Sequence, residues 1–327
     1  MNTGTKLAGF GVGVAALFAG AFGVGAVAGP LDVSSSGQMA DHGTDASHGS
    51  NDSGSGSEHT SQEHGGGEAG AEEPPGGLMI SQDGYTLDLT GSELPSSPST
   101  PLRFRILGPG GEPVTRYTEE HGKDLHLIVV RRDMAGYQHV HPTLDDAGVW
   151  SVDLNLATAG EYRMFADFAP EGGEGLTLGA DLSVAGAYDP KPLPEPARTA
   201  QVDGYTVSLD GDVKAGESSL LTLSVSKDGE PVTDLQPYLG AYGHLVALRD
   251  GDLAYLHVHP DGSPGDGSTK PGPDIRFYAT APTPGDYRLF LDFRHGDKVR
   301  TAAFTVRAGA DVGTDKSGDK PEHAHSH

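Results

Sequence analysis

The chain has 327 residues, a length that allows about two domains of roughly 100–200 residues each. It contains no cysteine, which excludes disulfide staples, thiol nucleophiles, zinc ribbons and iron–sulfur clusters. With 22 Lys and Arg against 46 Asp and Glu, the net charge of −24 argues against nucleic acid as a partner, because phosphate binding needs a basic surface.

Residues 1–30 open the chain with Lys6 followed by an uncharged run of Leu, Ala, Gly, Phe and Val over residues 7–28. That run reaches the ~20 residues a helix needs to span a bilayer, and it exceeds a usual secretory core of about 7–15. Ala26-Val27-Ala28 also resembles a small-x-small cleavage site. A single-pass anchor and a cleaved signal peptide therefore both stand. Either one exports the remainder, with the N-terminus cytoplasmic because Lys6 precedes the span.

Residues 31–77 are Gly, Ser, acidic residues and histidines with almost no bulky apolar side chain, and are expected to be disordered. They carry His42, His48, His59 and His64. The tail, residues 308–327, is similar and ends with His323, His325 and His327. Such tracts either collect metal loosely or serve as solvated spacer. Between the two repeats described next, residues 186–197 alternate proline from Pro190 to Pro196, as a stiff, extended spacer does.

Residues 78–185 and 198–307 are two copies of one unit. Asp83-Gly84-Tyr85-Thr86 returns as Asp203-Gly204-Tyr205-Thr206, and Gly111-Glu112-Pro113-Val114-Thr115 as Gly229-Glu230-Pro231-Val232-Thr233. His126-Leu127 returns as His244-Leu245, and His139-Val140-His141-Pro142 as His257-Val258-His259-Pro260. Gly160-Glu161-Tyr162-Arg163 returns as Gly285-Asp286-Tyr287-Arg288, and Asp167-Phe168 as Asp292-Phe293. The second copy is longer around 261–273, in a stretch of Gly, Pro and Ser suited to a surface loop. In the first copy, short β-prone runs near 83–90, 101–107, 125–131, 137–141, 149–156, 161–168 and 176–184 predict seven strands. That is the pattern of an all-β, immunoglobulin-like sandwich, repeated in tandem. Tyr162 and Tyr287, each following Gly-x, match the tyrosine corner of such folds.

The histidines that recur are those with a shared geometry. Side chains alternate along a strand, so His139 and His141 face the same way. A hairpin joining 125–131 to 136–141 through a four-residue loop sets 126 opposite 141 and brings His126 onto that face. The third strand also runs antiparallel to the sixth, which sets Asp167 beside His126. The same reasoning groups His244, His257 and His259 with Asp292 in the second copy. Imidazole with carboxylate suits Zn(II), Cu(II) or Ni(II), whereas Cu(I) prefers sulfur and no methionine recurs between the copies. The competing account is that His-x-His is an ordinary strand face and Asp167 pairs with Arg163.

His-Leu before an apolar strand, then His-Val-His-Pro, then Gly-x-Tyr-Arg-x-Phe-x-Asp-Phe resembles a group of secreted or membrane-anchored bacterial proteins of actinobacterial type. The resemblance covers both repeats and implies an envelope protein of immunoglobulin-like fold, with a loose link to heavy-metal handling. Together these readings predict a non-catalytic, extracytoplasmic, membrane-anchored protein that buffers or delivers Cu(II) or Zn(II), one three-His-plus-Asp cluster per sandwich, with an envelope protein as partner. The alternative is a structural or adhesive surface module, with a ligand surface such as loop 261–273. No hydrolase signature is present: there is no Gly-x-Ser-x-Gly and no His-Glu-x-x-His.

Overall fold

The computed structural model describes residues 74–309 apart from His257. The apolar run 7–28, the histidine tracts and His257 lie outside the described residues. Among the described residues no helix is long and apolar enough to cross a membrane.

Each repeat folds as a two-sheet, all-β sandwich of immunoglobulin-like type. In the first, β1 (Tyr85–Leu89), β2 (Thr100–Leu107) and β5 (Trp150–Leu154) form one sheet in that order, with short strands at its edges. The second sheet runs β7-β6-β3-β4, from β3 (Leu125–Arg131), β4 (Gln138–Val140), β6 (Gly160–Pro170) and β7 (Leu176–Val184). The second sandwich repeats this with β8 (Tyr205–Asp210), β9 (Ser218–Lys227) and β12 (Asp274–Thr280) facing β10 (Gly243–Arg249), β13 (Gly285–His295) and β14 (Lys298–Ala308). Its remaining strand is β11 (Val258–Pro260). The predicted tyrosine corners are present. Tyr162 donates to the carbonyl of Thr158 and Tyr287 to that of Thr283, each at 2.7 Å.

Patterning explains which faces are covered. β2 alternates buried and exposed residues, so one face meets the core and the other meets water. β3, by contrast, is buried at every position from Leu125 to Arg131. Leu125, Leu127 and Val129 enter the core of the first sandwich, while Ile128 and Val130 belong to a separate apolar cluster. That cluster is the seam between the sandwiches, where Ile128, Val130 and Phe165 meet Val246, Leu248 and Phe290. The seam is reciprocal: Tyr137 of the first sandwich stacks on Phe290 of the second at 4.0 Å, and Tyr255 of the second meets Phe165 of the first at 5.7 Å. The same surface of both copies is used, as in a two-fold dimer.

Two connecting segments lie against this seam. The linker expected to run to Gly77 ends earlier, because Gly76 accepts a hydrogen bond from Tyr255 N at 3.0 Å and Gly77 bonds Thr177 at 2.8 Å. Only glycine fits the approach. Gly77 has φ of 73°, and a Cβ on Gly179 would meet the Gly77 carbonyl oxygen at 1.9 Å. Arg163 is held by that same carbonyl and by Asp181 at 2.8 Å. The proline-rich linker does not hold the sandwiches apart. Leu193 packs on the seam, and Lys191 N bonds Asp133 at 2.8 Å.

Candidate metal centre

The histidine face of the first sandwich is built by the β3–β4 hairpin, whose register pairs Leu127 with Val140, Ile128 with His139 and Val129 with Gln138. Extended by one step, this sets His126 across from His141, as the four-residue loop implies. The Gln138 side chain pins the second strand by bonding both the N–H and the carbonyl of Asn155, at 2.8 and 2.9 Å. His126 Nδ1 lies 3.1 Å from His139 Nε2 and 3.3 Å from His141 Nε2.

The third member of the tightest group comes from the other sandwich. Ligand atoms of His126, His139 and His244 all lie within 4.8 Å of one another. The rings of His126 and His244 are nearly parallel at 5.5 Å, and His139 and His244 are 4.6 Å apart. The carboxylate that reaches these imidazoles is also contributed across the seam: Asp292 accepts from His139 Nδ1 at 2.9 Å. Asp167 sits beside His126 in the β3–β6 register, as the antiparallel pairing implies, and accepts from Thr177 at 2.8 Å. The group is composite, with His126, His139 and His141 from the first copy and His244 and Asp292 from the second.

The second copy places the strand that carries His259 differently. β11 leaves its own hairpin and joins the opposite sheet, pairing Val258 with Ala279 and His259 with Tyr278. His259 is exposed. It lines a cavity of about 510 Å³ along the seam, together with Glu120, His121, Asp167, His244 and Tyr255.

Proton positions follow from what surrounds the cluster. The Glu120 carbonyl can only accept, so His126 Nε2, at 3.0 Å, carries the hydrogen and Nδ1 is left with its lone pair. Asp292 likewise takes the hydrogen of His139 Nδ1, leaving the lone pair on Nε2. With His139 neutral, its Nε2 and His126 Nδ1 face each other as two acceptors at 3.1 Å. His244 Nδ1 is buried with no hydrogen-bond partner among the described residues. Protonation of His126, His141 or His244 is a poor remedy. Burial, and secondarily His139, His121 and Lys123, push His126 down to about 4 against the opposing pull of the Glu120 carbonyl. Burial and the neighbouring histidines push His141 down to about 3, and burial first of all holds His244 well below the usual imidazole range.

The spacing of these nitrogens can be compared with that of metal ligands. A tetrahedral metal with bonds of ~2.0–2.1 Å to nitrogen sets its ligands about 3.3 Å apart, close to the spacings around His126 Nδ1. His139 with Asp292 behind it is the carboxylate–histidine pairing that fixes the tautomer of a ligating imidazole. Asp292 is in turn held by Thr301 Oγ1 and by Tyr137 at 3.4 Å. Tyr137, Thr301 and the cross-seam role of Asp292 escape a strand-by-strand reading. The available signal was β3 itself, apolar at both parities, together with Phe165 and Phe290 on the face turned away from their own cores.

Comparison with curated proteins returned no match. Among solved structures, the chain is similar to the adhesin FdeC of Escherichia coli at 13% identity, covering 70% of this chain and 65% of that one, with a TM-score of 0.24. It is similar to the adhesin InvE of Yersinia pseudotuberculosis at 14% identity, covering 70% and 60%, with a TM-score of 0.23. InvD of Yersinia pseudotuberculosis matches at 13% identity over 74% and 62%, with a TM-score of 0.24. The chain thus spans less than two thirds of the length of each of these proteins. A family model described as a domain of unknown function (DUF8832) matches residues 80–186 and again 200–310, and the chain belongs to that family as a tandem of two copies.

Proposed function

We propose that the chain is an exported, non-catalytic metal-binding module that holds a divalent transition-metal ion, Zn(II) or Cu(II), between its two sandwiches. The observation that carries this reading is the convergence of three imidazoles: ligand atoms of His126, His139 and His244 lie within 4.8 Å of one another, while the Glu120 carbonyl and Asp292 take the outward nitrogens of His126 and His139. His141 is placed to add a fourth nitrogen. Buffering the ion, or passing it to an envelope protein, is the role that fits a site with no catalytic group beside it. Export rests on the apolar run 7–28.

Calorimetric titration of the full chain with Zn(II) and with Cu(II) tests this. The expected result is one tight, saturable phase that disappears in His126→Ala/His139→Ala, above weak binding by the terminal histidine tracts. Absence of a phase sensitive to those substitutions would sink the reading. It would also favour the second one, a structural or adhesive surface module, which the reciprocal apolar seam supports because it joins the tandem into a single stiff unit.

A further inference from the structure

The proposed ligands are divided between two bodies that, among the described residues, are joined by the seam, the linker and the Gly76–Gly77 segment. His126 and His139 belong to the first sandwich, His244 to the second. Asp292, which fixes the His139 tautomer, is also on the second. Separation of the sandwiches therefore removes a ligand and the group that orients another ligand. The seam is the weakest of the three apolar clusters. It contains eight buried residues, against 19 and 24 in the two cores, so it opens at lower cost than either sandwich unfolds.

We infer that the ion is an interdomain clamp: it is held tightly only while the sandwiches are docked, its binding tightens the seam, and opening the seam releases it. This rests on the metal-binding reading above and adds to it a route for release. A partner or a pull that parts the sandwiches would discharge the ion without competing for its ligands. The coupling is reciprocal by thermodynamic necessity: whatever lowers the docked fraction weakens apparent metal affinity by the same factor.

Phe165→Ala provides the test, because Phe165 belongs to the seam while Met164 and Ala166 beside it face the core of the first sandwich. Val130→Ala is the second variant should Phe165→Ala fold poorly. Zn(II) affinity is measured by calorimetry on the full chain. Docking is measured by electron-spin distance measurements between labels on cysteines placed at exposed Asp153 and Asp210, which a chain without native cysteine permits. Phe165→Ala is expected to broaden the metal-free distance distribution, to regain the wild-type distribution with Zn(II), and to bind Zn(II) roughly tenfold more weakly, within the usual range of coupling. His244→Ala is expected to remove the narrowing by Zn(II). Wild-type affinity in both Phe165→Ala and His244→Ala would overturn the clamp and leave a metal site confined to the first sandwich. No saturable binding in the wild type would remove the metal reading itself, and the clamp with it.

Discussion

The two sandwiches carry the same histidine motif and place its last histidine, His141 in one and His259 in the other, differently. In the first, Gln138–Val140 stays paired with β3, and His139 and His141 are held against His126. In the second, Leu256 stands where Gln138 does and is buried in the core, and Val258–Pro260 transfers to β12. The first sandwich makes the same transfer three positions later, where Thr143–Leu144 pairs with β5. Moving the point of transfer takes His259 off the hairpin and exposes it on the cavity rim. What the copies share is the support: a threonine on each aspartate, Thr177 on Asp167 and Thr301 on Asp292, and the reciprocal aromatic contacts of the seam. Duplication has preserved the docking surface while letting the ligand strands diverge.

Acid should separate the copies most strongly. In the metal-free protein His126 and His141 stay neutral down to about 4 and about 3, and His244 is likewise depressed. The unfolded chain protonates them near the ordinary imidazole value of about 6.5. Below that pH the unfolded state binds more protons, so stability falls as pH drops from about 6.5 toward 4 and is flat above. Each such histidine contributes a slope of ~1.4 kcal/mol per pH unit. Urea unfolding at several pH values checks the slope, which should be shallower by about that amount in His126→Ala.

The seam offers the next comparison. Phe290→Ala and Phe165→Ala each remove a fully packed ring and should cost ~3–5 kcal/mol. Phe290 should cost more, because its stack on Tyr137 is the closer of the two reciprocal contacts and such pairs add ~0.5–1.5 kcal/mol. Equal losses, read from urea midpoints at unchanged slope, would show that the seam does not distinguish the copies.

Metal affinity should then distinguish His244 from His259. His244→Ala removes a member of the tight group and is expected to weaken Zn(II) by at least ~100-fold, the upper end of the effect of losing even a supporting residue. His259→Ala should leave the tight phase in place. The opposite ranking would mean that the cavity, rather than the composite cluster, holds the ion.

How much of this was legible in the sequence depends on the range of the contact. The β3–β4 register, the shared face of His126, His139 and His141, the tyrosine corners and the pairing of Asp167 with His126 all follow from strand parity and loop length, and the chain encodes those locally. The docking of the sandwiches is a rigid-body choice between surfaces more than a hundred residues apart, and no periodicity records it. The early departure of β11 was equally hidden. Val258 suits either sheet, and the choice falls to the burial of Leu256 and to the neighbouring strand.

The smallest effect is also the sharpest comparison of the two copies. Asp292→Asn keeps the shape of the carboxylate but removes its charge and replaces one acceptor oxygen with a donor. Three groups donate to Asp292: His139 Nδ1, Tyr137 and Thr301. An amide can turn its oxygen to His139 and Tyr137 and donate its NH2 to the Thr301 hydroxyl, so what the variant removes is the negative charge that makes His139 Nε2 a stronger ligand. Loss of such a supporting carboxylate weakens a metal by ~10-fold at the low end. Asp167→Asn, on the carboxylate that Thr177 holds beside His126, makes the same change on the aspartate of the first copy. The two variants, titrated side by side, separate an asymmetric site from a symmetric one. A tenfold loss for Asp292→Asn alone places the ion on the imidazoles of the first sandwich, oriented from the second. Equal losses would mean that the preserved support carries the preserved function, and that each aspartate orients a ligand of the opposite copy.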